Sequence, residues 1–400
     1  MKSVYQRIAE FNSNRLPEVV PLKYKAMALN SFSFFRGTCH LFYEDLSKAN
    51  LMPPSPLTWI CGDLHLENFG SFKGDNHQVY FDLNDFDEAI LARASWELAR
   101  MITSIFLAFE SLGADEDEAL SISRKFLDIY AATLVKGKAI AIDPRTANGI
   151  ICSFLKTAEK QKPKDLLKKR AEKRKGQYEF LPRPEKYLEI EDELKLELNQ
   201  FINNWIDESL YAHYNFSVVD SIFRIAGTGS IGAKRYMFLL ESQEFRNKYL
   251  LLDMKQAFPS SLQPFIAVNQ PDWDSEAKRA ITIKECMQNV SPALLGNAVF
   301  KNESFILQRM QPTEDKINFG VIKGKKKDLD CVIEDMAKLT ASAQLRSSGR
   351  LGSAIADELI DFGKIGDWHR ILTYAFHYAK QVNNNYFDFK NELKTQGFEF

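Results

Sequence analysis

The chain has 400 residues, 45% hydrophobic and 26% charged, which excludes disordered and fibrous classes and is too long for one compact core. Its 52 Lys and Arg face 53 Asp and Glu, so a net charge of −1 leaves no global electrostatic footprint for nucleic acid. Five cysteines without CxxC spacing argue against a disulfide framework or a zinc ribbon.

The first twenty residues lack an apolar h-region, and no apolar run reaches the ~18 residues of a membrane span. The expectation is a reduced cytoplasmic protein. Residues 1–56 read as helix and loop, with an aromatic cluster at Phe32, Phe34 and Phe35 ahead of Arg36 and Gly37. Residues 57–60 form a short apolar strand that stops at Gly62, and residues 79–83 form a second that ends in an acidic turn. From Trp96 to about Val135 apolar residues recur at three and four spacing, the mark of helix. The basic stretch 156–175 reads as a solvated helix flanking a loop, or as a surface that attracts an anionic substrate. An amphipathic helix follows at 190–210.

At about residue 217 the composition changes. Three strand-like runs follow, separated by a Gly-rich turn and a polar turn, then a helix at 275–290 and a strand at 304–310 stopped near Pro312. Residues 328–348 and 367–395 return to helix. The expected organisation is a helical lobe with acidic loops over 1–216, a β-rich lobe over 217–312, and helices over 313–400 that rejoin the first lobe.

The strongest chemical feature is CGDLHLENFG followed by VYFDLNDFDEA. Asp63 and Asn68 lie on a loop after a strand, and Asp85 lies just past the next strand. Phosphoryl transfer uses these residue types: one carboxylate orients the acceptor hydroxyl, while an amide oxygen and a second carboxylate hold Mg²⁺. The cluster Asp82, Asp85, Asp87 and Glu88 needs a cation or a basic partner, because clustered carboxylates repel. GDLH also evokes a metallophosphoesterase, but none of the six histidines sits in the GNH-type segment such a site requires.

Gly227, Gly229 and Gly232 spell G-x-G-x-x-G. In a dinucleotide-binding fold the turn leads into a helix; here it leads into the strand pattern YMFLLE. Strand, glycine turn, strand is the phosphate-covering arrangement of kinases. The next strand carries Lys255, whose charge needs a phosphate or a carboxylate. Glu276 and Glu285 on the following helix are candidate partners, with Glu285 preferred. A literal Asp361-Phe362-Gly363 follows no strand, and its glycine reads as a helix stop. In an ordinary kinase the glycine loop precedes the acidic loops. The reversed order here is reconciled by a circular permutation, which joins old ends and opens new ones at the surface.

GDLHLENFG resembles the catalytic loop of aminoglycoside phosphotransferase-like kinases, and LNDFDEA followed by WELAR resembles their metal-binding segment. The resemblance implies Asp63 as catalytic base and Asn68 and Asp85 as metal ligands. The whole chain is also similar to domain-of-unknown-function family 2252. The matching stretches include FSFFRG, GDLHLENFG, FDLNDFDEA, RIAGTGSIGAKRY, LLLDMKQA and YAKQVNNNYFDF. Two departures from that pattern stand out. Ala-His-Ala-Arg is replaced by Ala343-Gln344-Leu345-Arg346, and Trp-Asp-Leu by Trp96-Glu97-Leu98.

These readings combine into an α+β, two-lobed, permuted protein-kinase-like fold and an ATP- and Mg²⁺-dependent phosphotransferase acting on a hydroxyl-bearing acceptor. Asp63 serves the acceptor, and Asn68 and Asp85 hold the metal. Lys255, Gly227, Gly229, Ser230, Gly232, Glu285 and Gln308 form the nucleotide side, with Ile306 to Met310 as a hinge. Arg36, His65 and Asp87 are candidates for the acceptor side. Transfer of AMP on the same fold, and a nucleotide-binding regulator without activity, are the alternatives.

Overall fold

The computed structural model describes residues 2–174, 176–245, 248–310 and 316–398. Lys175, at the end of the basic stretch, and Pro312, the expected strand stop, lie outside the described residues. Four helices open the chain: α1 (Val4–Phe11), α2 (Val20–Met27), α3 (Ser31–Gly37) and α4 (Cys39–Ala49). Strands β1 (Leu57–Ile60), β2 (Phe69–Lys73), β3 (Val79–Leu83) and β4 (Ile90–Arg93) come next. Strand β1 pairs antiparallel with β4, from Leu57 opposite Arg93 to Ile60 opposite Ile90. Strand β2 pairs antiparallel with β3, with Phe69 opposite Leu83. One hairpin is therefore nested inside the other, and residues 61–68 and 84–89, which join the two, come out side by side.

The expected helical run after Trp96 is two helices, α5 (Ala94–Ser111) and α6 (Glu116–Lys136). The break falls at Gly113, whose positive φ of 72° ends the first, and Asp115 caps the second through the Glu118 N–H at 2.7 Å. Helix α5 is buried almost throughout, from Ala94 to Phe109, and forms the axis of the larger core. The basic stretch is not one solvated helix. It holds the end of α7 (Gly149–Lys160), then α8 (Pro163–Lys168) and a hairpin of β5 (Ala171–Arg174) and β6 (Gln177–Phe180).

A six-stranded sheet forms the second part of the molecule. It is built from β7 (Tyr187–Leu188), β8 (Phe216–Arg224), β9 (Arg235–Ser242), β10 (Tyr249–Gln256), β11 (Gly296–Phe300) and β12 (Glu303–Met310), in the order β11-β12-β10-β9-β8-β7. Helix α9 (Asp192–Glu208), which the sequence reading groups with the first lobe, packs Leu198, Ile202 and Ile206 on this sheet beside Phe238 and Leu252. The opposite face covers Leu167, Ala171 and Phe180 with Met237, Leu239 and Leu251. Helix α10 (Glu276–Met287) borders the sheet and sends Ile283 and Met287 into the larger core.

The chain then returns through α11 (Phe319–Ile322), α12 (Lys326–Ser347), α13 (Ala356–Ile365) and α14 (Trp368–Thr395) to the larger core. Gly363 is not a helix stop. It lies inside α13, where a β-carbon would stand 2.9 Å from the Leu134 Cβ, so the glycine permits close packing on α6. Asp361 points outward with 67% of its side chain exposed. No helix among the described residues is long and apolar enough to cross a membrane.

Candidate functional site

The nested hairpins bring the loop 61–68 against the turn 84–89. Gly62 allows the approach: its φ is 80°, and a β-carbon there would stand 2.2 Å from the Glu88 carbonyl. Asn68 locks the two segments together. Its Nδ2 donates to the carbonyls of Asp63 at 3.0 Å and Asp85 at 3.1 Å, and its Oδ1 accepts from the N–H of Asn84 at 3.2 Å and Asp85 at 2.7 Å. Two accepted bonds use both lone pairs of that oxygen. Asn68 is therefore a brace between the two segments here, with its Oδ1 already engaged by two backbone N–H groups.

Asp63 projects from the loop and is gripped by Arg100 of α5. Arg100 Nε and Nη2 both reach Asp63 Oδ1, at 2.8 and 2.5 Å. Oδ2 lies on the side of Gly229. Burial alone opposes the guanidinium charge, but Asp63 outweighs it and raises the Arg100 pKa. The ring of Phe35 lies 4.1 Å below that guanidinium. Of the aromatic cluster that stood out in the sequence, Phe35 supports Arg100, Phe34 packs on Tyr386 and Phe389, and Phe32 meets His65 and Arg36. Arg100 itself was signalled only by its place among apolar helix positions, where an arginine needs a carboxylate.

The sheet supplies the opposing wall. Lys255 on β10 is paired with Asp87, and its Nζ lies 3.7 Å from Asp85 Oδ2. The partner thus comes from the acidic turn and not from α10. Glu285 is exposed, and Glu276 pairs with Arg279 at 2.6 Å. The next side chain, Lys284, faces the site instead, with Nζ 3.4 Å from the Asn84 carbonyl. Burial pulls the Lys284 pKa down to about 8, against the attraction of Asp85 and Asp87. Burial, helped by Asp85, raises the Asp87 pKa from its ordinary value against the pull of Lys255. At Asp85 burial is outweighed by Lys255, and its pKa falls below the ordinary value. Asp253 shares the face of β10 with Lys255. It is clasped by Arg224 and Arg235, each at 2.7 Å, which hold it well below the carboxylate range.

The glycine turn joins β8 to β9 and reaches the same place. Gly227 and Gly232 have φ of 78° and 92°, conformations that favour glycine. Ser230 Oγ is 3.4 Å from Asp87 Oδ2. A β-carbon on Gly229 would meet the Arg36 carbonyl at 3.3 Å and Asp63 Oδ2 at 3.9 Å.

Two cavities flank the Lys255–Asp87 pair. One, of about 490 Å³, lies between the sheet and the turn and is lined by Asp85, Lys255, Lys284, Ile306, Gln308 and Met310. The other, of about 470 Å³, lies beside Asp63 and is lined by Phe11, Arg15, His40, Glu88 and Phe258 among others. Arg36, His65, Asp85, Asp87, Gly227 and Lys255 line both. Arg36 is paired with Glu67, and its Nε faces His65 Nε2 at 3.2 Å. Burial, then Arg36, push the His65 pKa well down, so the ring is neutral. Among the described residues no group of three or more His, Cys, Asp or Glu forms a metal cluster.

The chain is thus a mixed α+β protein in which two acidic segments, a glycine turn and a lysine meet between two cavities. It belongs to the family described as uncharacterized protein conserved in bacteria (DUF2252), whose model matches residues 15–392. No curated protein and no solved structure matches it.

Proposed function

We propose that this protein is an ATP- and Mg²⁺-dependent phosphotransferase with a permuted, two-lobed kinase-like fold. The observation that carries the reading is one convergence: Asp63, Asp85, Asp87, Lys255 and Ser230, spread over almost 200 positions of sequence, border a single spot. A structural cluster of this size has no need of a glycine turn in left-handed backbone or of two adjoining cavities.

The larger-volume side suits a nucleotide. Eight Lys and Arg side chains, Arg224, Arg235, Lys255 and Lys284 among them, stand there against four carboxylates (Glu67, Asp85, Asp87, Asp253), and Ile306 and Met310 offer apolar surface for a base. Asp85 and Asp87 fit Mg²⁺, which needs only one or two carboxylates and keeps several waters. Asp85 has 53% of its side chain open to solvent, with Lys255 Nζ 3.7 Å from its Oδ2. The metal, when bound, supplies charge neutralisation at the phosphates. Lys255 grips the phosphates, and the turn 227–232 covers them. Asp63 is held by Arg100 through one oxygen only, which leaves Oδ2 to orient the acceptor hydroxyl. Its proton passes to Asp63 as the acceptor oxygen bonds the γ-phosphorus and ADP leaves.

Thermal stability with ATP alone, Mg²⁺ alone and both tests the reading, for the wild type and Asp85→Ala. A ligand at 100 times its Kd adds ~2.7 kcal/mol to the native state. ATP with Mg²⁺ is expected to stabilise the wild type, and Asp85→Ala to lose the Mg²⁺-dependent part. Absence of any nucleotide shift at millimolar concentration sinks the proposal. Transfer from γ- and α-labelled ATP then separates phosphoryl from AMP transfer.

A further inference from the structure

The cavity beside Asp63 has a pattern of charge that the transfer chemistry alone does not require. Each carboxylate on its wall is already answered. Asp63 has Arg100, Asp85 and Asp87 have Lys255, and Glu10 has Lys2 at 2.8 Å. Glu88 accepts from the Ser261 N–H at 2.6 Å and the Ser260 hydroxyl at 3.3 Å, and burial shifts it toward its neutral form.

One cation on the wall has no ion pair, although Glu88 and Asp87 attract it. Arg15, between α1 and α2, lies over the Phe258 ring at 4.3 Å; among the described residues it pairs with no carboxylate, and its buried Nε has no hydrogen-bond partner. A half-buried guanidinium with an unpartnered buried nitrogen favours an anion at its open side. His40 is 5% exposed and stacks on Phe11 at 3.8 Å, and both its ring nitrogens lack partners. A neutral imidazole offers one donor and one acceptor, the complement of a hydroxyl. The volume of about 470 Å³ suits a small molecule.

We propose that this cavity binds a small acceptor carrying both a hydroxyl and an oxyanion, with Arg15 binding the oxyanion and His40 a hydroxyl. The inference rests on the phosphotransferase reading for the fate of the hydroxyl, but the recognition itself does not. Carboxylate and phosphate share the required chemistry.

The test is calorimetric titration of the full chain with its nucleotide cavity saturated by a non-hydrolysable ATP analogue and Mg²⁺. The probes are glycerol 3-phosphate, glycerate and glycerol. At least one anionic probe is expected to bind about tenfold or more tighter than glycerol, and the tighter of the two identifies the oxyanion. Arg15→Gln abolishes that preference and Arg15→Lys retains part of it, while melting of the unliganded variants verifies that both are folded. Equal binding of charged and neutral probes overturns the proposal. So does a preference that survives Arg15→Gln, or no binding of any probe up to about 10 mM. If the analogue itself does not bind, the phosphotransferase reading fails separately. The same titrations on nucleotide-free protein, with Arg15→Gln as the control for the site, then decide the recognition.

Discussion

Glu97 Oε2 accepts a hydrogen bond from Gln344 Nε2 at 2.9 Å, and neither residue has any exposed surface. By the resemblance drawn from the sequence, these are two of the positions at which the chain departs from the motifs Trp-Asp-Leu and Ala-His-Ala-Arg. The structure brings both departures into one contact. Glu97 Oε1 also accepts from the Cys61 N–H at 2.6 Å, two residues before Asp63, so the pair connects α12 to the loop that carries Asp63. Tyr130 completes the network by donating to Gln344.

The two exchanges are therefore expected to be coupled. Glu97→Asp and Gln344→His should each cost about 1–3 kcal/mol, because each strands a buried polar partner. The double variant should cost less than the sum, by about 1 kcal/mol or more. Urea unfolding of the four proteins measures the coupling, and strict additivity would show that the two exchanges are independent.

Arg100 has no exposed surface, whereas Asp63 is partly open. Asp63→Asn leaves that guanidinium without a carboxylate and is expected to destabilise the protein by about 3 kcal/mol. Adding Arg100→Leu should recover most of the stability and none of the transfer activity. A double variant as unstable as the single one argues that the ion pair is not the cause.

Lys255 occupies the carboxylates that Mg²⁺ is proposed to use. Lys255→Met should abolish stabilisation by ATP, yet millimolar Mg²⁺ alone should raise its melting temperature more than that of the wild type. An equal Mg²⁺ response in the two proteins would mean that ammonium and metal do not compete there.

Asp82 is pushed from 3.8 up to about 6, first by burial, with Arg346 at 3.5 Å and two backbone N–H groups offsetting only part. Its folded pKa is above its unfolded one, so the unfolded chain releases its proton first as pH rises. The group's contribution is fully present below about pH 4 and is lost as pH rises to about 6, a change of about 2–3 kcal/mol. Asp82→Asn should flatten that slope in unfolding free energy measured between pH 4 and 7. An unchanged slope assigns it to other groups.

Gly62 combines a φ of 80° with a backbone oxygen 2.2 Å from where a β-carbon would stand. Gly62→Ala is expected to cost about 3 kcal/mol or more and to displace the turn 84–89. An alanine variant as stable as the wild type, by thermal and urea unfolding, contradicts the tight approach of the two segments.

Much of the fold was legible from periodicity: the helices over 192–208, 326–347 and 368–395, and the strands 216–224, 235–242 and 249–256, lie close to where apolar spacing puts them. Strands β2, β4 and β11 escaped because four or five residues carry too little pattern beside a glycine or an acidic turn. Among site residues, those on loops were legible, since Asp63, Asp85 and the glycines stand out against turns of low complexity in chemistry. Arg100 and Lys284 were not, because a charged residue within a helix ordinarily reads as a solvated face. Glu285 is not the partner of Lys255 because the acidic turn supplies Asp87, while α10 leaves Glu285 exposed and turns Lys284 inward, a phase that spacing alone fixes only to within a residue. Arg15 and His40 belong to segments with no motif, and only their lack of partners in three dimensions marks them.

The ammonium of Lys23 and the N–H of Leu16 both bond to the glycine turn, at the carbonyls of Gly229 and Gly232. Lifting the turn would remove one of the two protein oxygens that Lys23 Nζ binds in its buried place. The leading segment is then a ballast for the covering turn. The glycine turn is thus tied to the leading helices at two carbonyls, and its position depends on theirs as well as on its own glycines.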